Sequence, residues 1–415
     1  MSQILSPTIR HFNFDGGNGL SFGRRSPSPK DCSSESLTST DSFEPDWNRR
    51  TLLDLSDSVR ASLRNNHVLS TGVDAEKLSN FLETALKDEE RRYPRLDFET
   101  IEYARLDKLL AELIQLADTI KASDLMPDFA LRFRVDASHA KKLRFFWRRR
   151  FREKLFMIDR YRCAVLVQGG RLKDVSFNSS LEYDLGKWQT KRLTGPVSEV
   201  EANLQFEPGH WWLNITCAER DGIVNSSLET PTKACYGVTA LPLLTGSEEL
   251  IRHNVVKYVR EGHPSDMHIS LISQVGRKIR IMRGYRLKSI FAPEAGLRYD
   301  GLYIIRQYGF KLDNNTNMYR LELILERAAD QRSFEDICKV PKPSQLDDWA
   351  LYEKLEGDKV KLLQGESSYL ELKLKRQAEK VERDEWLRSR LFRASFSLSA
   401  DTGSSELLLE KPAAR

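Results

Sequence analysis

Chemistry in this 415-residue chain has to be sought among clustered cations, because the familiar catalytic signatures are missing. There is no GxSxG elbow, no GxxxxGK[ST] or GxGxxG phosphate loop and no HExxH pair. Its five cysteines (Cys32, Cys163, Cys217, Cys235 and Cys338) lie far apart, without a CxxC or a Cys/His group at zinc-ligand spacing, and the seven histidines are scattered. Carboxylates are plentiful, yet spacing alone selects no acid/base pair. The expectation is a protein that is not an enzyme and holds no metal or cofactor.

Two cationic stretches stand out instead. Gly276–Lys288, GRKIRIMRGYRLK, carries Arg277, Lys278, Arg280, Arg283, Arg286 and Lys288 with no acid. On a strand, Lys278, Arg280 and Arg286 would project from one face and Ile279, Ile281 and Arg283 from the other, a cationic strip suited to a sugar-phosphate backbone. A solvated edge strand whose charges deter aggregation fits the same pattern. Lys141–Lys154 has eight basic residues out of 14 and a single acid, Glu153. On a helix, Leu143, Phe146, Trp147, Arg150 and Lys154 would mark one side, and Arg148, Arg149 and Arg150 could contact phosphates. A solvated face and a nuclear import signal remain equally open there. The net charge of +5 does not choose, because location matters more than the total.

With 40% hydrophobic and 30% charged residues, the chain can bury a core in two or three domains. No apolar run nears the roughly 20 residues of a membrane span, and Met1–Asp15 lacks a signal-peptide pattern, so a soluble intracellular protein with no membrane partner is expected. Residues 1–50, rich in Ser, Gly and Pro, read as a disordered arm; two Ser-Pro steps beside Arg24 and Arg25 would suit a proline-directed kinase. Residues 51–168 read as helical, most clearly where Leu106, Leu109, Leu110, Leu113 and Leu116 recur at spacings of three and four, with a long helix over Ser138–Tyr161. Residues 169–345 turn to short β-like runs. In the last, Tyr319, Leu321, Leu323 and Leu325 alternate with Arg320, Glu322 and Glu326, the pattern of a half-buried strand. Residues 346–392 return to charged helix, and 393–415 read as a frayed tail.

The continuation of the second stretch narrows the reading. Ile279–Gly284 followed by Ala292-Pro293 through Arg298-Tyr299-Asp300-Gly301 and Tyr303 resembles the signature of the SRA, or YDG, domain (SET- and RING-associated), a strand of the VRVIRG type and then AP-x-x-G-x-RYDG-x-Y. Upstream, Pro208–Trp212, Asp221–Ile223, Leu243–Glu249 and Val255–Val259 resemble the family's barrel segments in order. The resemblance implies an α+β fold, an SRA-like (PUA-like), mostly antiparallel β-barrel preceded and followed by helical segments. It also implies a nuclear, chromatin-associated protein that binds double-stranded DNA, reading methylated CpG by flipping the cytosine into a pocket. On this alignment Glu249 and Tyr258 are the pocket candidates. Lys278, Arg280, Arg283, Arg286, Lys288, Arg148, Arg149 and Arg150 are the phosphate candidates, and Arg298, Tyr299, Asp300 and Gly301 form a structural turn. The pocket is degenerate, with its first tyrosine absent, Gly246-Ser247 in place of Gly-Gly, Val259 in place of a threonine and a shortened loop after Tyr258. The alternative is a protein-interaction scaffold that has lost DNA binding, its basic strip capped by acidic partners or by the chain's own Glu-rich C-terminal helix.

Overall fold

A computed structural model describes residues 47–66, 73–119, 127–178, 187–191, 204–235, 237–252, 254–263, 268–313 and 318–406, all within one unit. The Ser/Pro-rich arm to Pro45 and its Ser-Pro steps lie outside them, as do residues 407–415.

The N-terminal part is helical: α1 (Arg49–Asn66), α2 (Val73–Glu89), α3 (Phe98–Tyr103), α4 (Leu106–Thr119), α5 (Pro127–Phe151), α6 (Glu153–Phe156) and α7 (Ile158–Gln168). The leucine stripe does what its spacing requires, with Leu106, Leu109, Leu110 and Leu113 fully buried against Leu78, Leu82, Leu143 and Trp147. The expected helix over Ser138–Tyr161 is instead three: α5 begins earlier, at Pro127, and Arg152, at φ 45°, ends it. A left-handed residue cannot continue a right-handed helix.

Next come β1 (Val175–Asn178) and β2 (Lys187–Thr190), paired as a small sheet, then β3 (Trp211–Trp212) and α8 (Ile215–Arg220). The main sheet adds β4 (Thr232–Ala234), β5 (Gly237–Leu243), β6 (Ser247–Arg252), β7 (Val255–Gly262), β8 (Lys278–Gly284), β9 (Leu297–Asp313) and β10 (Met318–Arg327). Its order is β4-β5-β8-β9-β10-β7-β6, with β3 added on β9, and every pairing is antiparallel except β5 with β8. Tyr258, Ile279, Ile281, Tyr303, Leu321, Leu323 and Leu325 fill the core on one face of this sheet.

The expected barrel does not close among the described residues. The sheet ends at β4 and β6, and what comes back toward β8 is a single parallel bridge, Ser247 with Lys288.

The chain then returns to helix with α9 (Phe334–Cys338), α10 (Pro343–Gln364) and α11 (Glu366–Glu406). Buried Arg60 of α1 grips Asp347 of α10 with both terminal nitrogens at 2.8 Å, tying the first helix to the tenth. The backbone of α11 runs past Ser395, where the sequence suggested fraying; no proline interrupts it before Pro412.

Candidate nucleic-acid interface

The RYDG segment is not a turn. It lies inside β9, where the register with β8 steps between Ile281 and Met282 and leaves Asp300 as an extra residue between the partners Tyr299 and Gly301. Gly301 adopts φ +98°, and a Cβ there would sit 2.3 Å from Gln331 Oε1. A bulge re-aims side chains, and this one places the Asp300 carboxylate in the interior.

There it accepts from Arg298 Nε (2.5 Å) and Nη2 (3.0 Å) and from Arg283 Nη1 (2.7 Å). Arg283 donates as a fork to Glu248 from Nε (2.9 Å) and Nη2 (2.6 Å), and its Nη1 also reaches Tyr303 Oη (3.0 Å). Ser289 Oγ donates to Glu248 at 2.6 Å, while Arg298 donates to the carbonyls of Val340 and Phe291. All four charged side chains are buried. Two carboxylates and two guanidiniums therefore balance. Burial alone would raise the Asp300 carboxyl, but Arg298 and Arg283 outweigh it and hold it below the ordinary carboxylate range. Arg298, Tyr299, Asp300 and Gly301 thus lie in a bulged strand and not in the expected turn, and the Tyr299 ring is fully buried.

This arrangement corrects the cationic strip. β8 is a central strand, not an edge, so from Ile279 onward each of its residues is buried. Arg280 and Arg283 cannot reach a phosphate, and only Lys278 stays exposed at the strand's start. Beyond β8, Arg286 and Lys288 are half-exposed, and each meets an acid of α11: Arg286 with Glu379 at 3.5 Å and Lys288 with Glu382 at 2.5 Å.

The pocket candidates separate as well. Tyr258 points inward and is buried, its hydroxyl donating to Thr245 O at 3.0 Å; burial first, and then Glu229, push its ionisation up. Glu249 points outward and pairs with Arg390 of α11. The inward carboxylate is Glu248, register partner of Tyr258. Partners across a ladder share a face, so the parity of β7 could have pointed to Glu248, but only once the register was known. The neighbouring cavity, about 480 Å³, is lined by Thr245, Gly246, Ser247, Val259, Lys288, Trp386 and others, not by Glu249 or Tyr258.

On α5 the split runs within one run of arginines. Trp147 Nε1 and Arg150 both donate to Glu89, and Arg150 also reaches Leu96 O and lies 4.3 Å over the Phe151 ring. Arg150 is thus unavailable for phosphates. Arg148 and Arg149 are exposed, and no ion pair engages them or Lys142 among the described residues. They surround an unexpected feature, Phe145, 62% exposed, with Lys141, Lys142, Arg148 and Arg149 four and three residues to either side. At helical spacing those five share one face.

No family model matches the chain, and no curated protein matches it. Solved structures similar in part include SUVH6 of Arabidopsis thaliana in complex with SAM (17% identity over 45% of this chain and 35% of that one, TM-score 0.28). Another is the SUVH5 SRA domain in a complex with hemimethylated CG DNA (16%, 34% of this chain and 96% of that one, TM-score 0.25). A third is the modification-dependent TagI restriction endonuclease (18%, 37% of this chain and 57% of that one, TM-score 0.26). This chain thus spans about a third of the SUVH6 chain. The likeness is to the SRA fold at low identity, and at TM-scores this low it carries no argument about what this chain binds.

Proposed function

We propose that this protein is a non-enzymatic DNA-binding protein that grips the duplex backbone through the cationic ridge of α5, and that it acts in the nucleus, on chromatin. The observation that carries the reading is Phe145 standing in solvent among Lys141, Lys142, Arg148 and Arg149. Lys141 pairs with Asp118 at 2.8 Å; the unpaired Lys142, Arg148 and Arg149 on this helical face release counterions when they meet phosphates, and an exposed ring among them can lie on a sugar or base. The SRA-like motif of Ile279–Tyr303 adds support for DNA over other polyanions. Reading of methylated cytosine by Glu249 and Tyr258 is not part of this proposal, since one faces outward and the other's hydroxyl is engaged.

Titrating unmethylated, hemimethylated and fully methylated duplexes at several salt concentrations tests it. With about four contacts, from Lys142, Arg148, Arg149 and Arg152, the logarithm of affinity falls with that of salt at a slope of roughly −3.5, equal for the three duplexes. Affinity indifferent to Arg148→Glu with Arg149→Glu would remove the proposal. A protein-interaction scaffold is the second reading, favoured by the acids of α11 on Arg286 and Lys288. It expects no salt-dependent retention on DNA at all.

A further inference from the structure

We infer that Arg286 and Lys288 form a second phosphate-binding surface, closed in this structure by α11, which acts as a displaceable cover whose glutamates stand in for nucleic-acid phosphates. This rests on the reading of the chain as a DNA-binding protein.

The cover is asymmetric. Glu379, Glu382, Arg383, Trp386 and Arg390 recur at helical spacing, and this one face meets the β domain. Glu379 pairs with Arg286, Glu382 with Lys288 and Arg390 with Glu249, while Arg383 Nη1 donates to the carbonyls of Tyr285 (2.8 Å) and Glu294 (3.3 Å). Trp386 forms part of the wall of the 480 Å³ cavity opposite Gly246, Ser247 and Val259. Yet not one residue from Glu366 to Arg390 is buried. Toward the β domain the helix is held by polar contacts at partly exposed side chains, and such ion pairs are individually weak and screened by salt; toward α10, Arg376 pairs with Glu353 and Glu356, and the Tyr369 ring lies against Gly357. Its start suits a hinge, since Gly365 has φ +91° and open space around it.

A phosphodiester offers Arg286 and Lys288 what the two carboxylates offer, an anionic oxygen acceptor, and a duplex offers many in a row. Exchange therefore conserves the charge-assisted bonds at the cations and frees the face of α11. The α5 ridge would hold DNA whether or not the cover lifts.

The experiment separates the cover from its ligand. In the full chain, Ser247→Cys puts a thiol on the cavity wall beneath Trp386, and its maleimide labelling is followed by mass spectrometry of that peptide. Labelling is expected to be slow at low salt and to accelerate with Glu379→Gln plus Glu382→Gln, with added salt, and with a duplex of random sequence. In the same background the DNA salt slope should steepen by roughly 2, for two added phosphate contacts, and revert when Arg286→Ala and Lys288→Ala are introduced. Labelling indifferent to the glutamine substitutions overturns the cover. Faster labelling with no reversible change in slope overturns the phosphate surface. Neither result touches the α5 reading, which fails only if Arg148→Glu with Arg149→Glu leaves DNA affinity intact.

Discussion

In the sheet, Arg283 and Arg298 lie buried and share Glu248 and Asp300; on α5, Arg148 and Arg149 stand in solvent with no ion pair among the described residues. The residue type is the same, and the local sequence is strongly basic in both stretches, six of 13 residues in Gly276–Lys288 and eight of 14 in Lys141–Lys154. What differs is the environment supplied by distant elements: a central strand enclosed on both faces, against a helix with only one face packed. A guanidinium taken out of water needs acceptors for its donors, and β6 and the β9 bulge bring them from 35 and 17 residues away. The helical part follows the same rule where it buries arginine: Arg60 meets Glu112 and Asp347, and Arg162 meets Asp107 and Asp159. Cation content is thus a poor guide to a nucleic-acid surface; the number of cations left unmatched is the useful quantity.

The contrast can be broken most forcefully at its buried end. Arg283→Ala leaves Glu248 and Asp300 short of a partner in the interior and should cost about 3–5 kcal/mol in urea unfolding, whereas replacing Arg283 and Glu248 together by apolar residues of similar volume should cost far less. Gly301→Ala forces a left-handed backbone onto a side chain and meets Gln331, for a loss of about 1–3 kcal/mol in the same assay.

Acid sharpens the comparison next. Because Asp300 is held below the ordinary range in the folded protein, its contribution is complete above the unfolded aspartate value of about 3.9 and is lost as pH falls through the lower folded value. Unfolding midpoints followed below about pH 4 should drop, and Asp300→Asn, less stable at neutral pH, should drop less steeply. Removing Lys288 or Glu382 should change stability by no more than about 1 kcal/mol, an effect that added salt erases. Arg148→Glu with Arg149→Glu should leave unfolding within about 0.5 kcal/mol of the parent while making the DNA salt slope shallower by roughly 2. Large stability loss there would show that the ridge is structural like the sheet.

The sequence was informative where a pattern is local. The leucine spacing of α4, the alternation of β10 and the apolar side of α5 through Leu143 and Trp147 each specify a buried face, because periodicities of 3.6 and 2 are properties of the backbone alone. The break at Arg152 left no such trace, since an arginine in left-handed conformation has no signature in the chain.

From its sequence this protein was bound to hold helices around a β region and two concentrated runs of positive charge. Which of those charges reach solvent was decided only by tertiary structure: by strand order, which set β8 in the middle of the sheet; by register, which turned Glu248 inward and Glu249 outward; and by the return of α11 over Arg286 and Lys288. Burial and pairing are relations between residues far apart in the chain, and one residue of register reverses which face a side chain occupies.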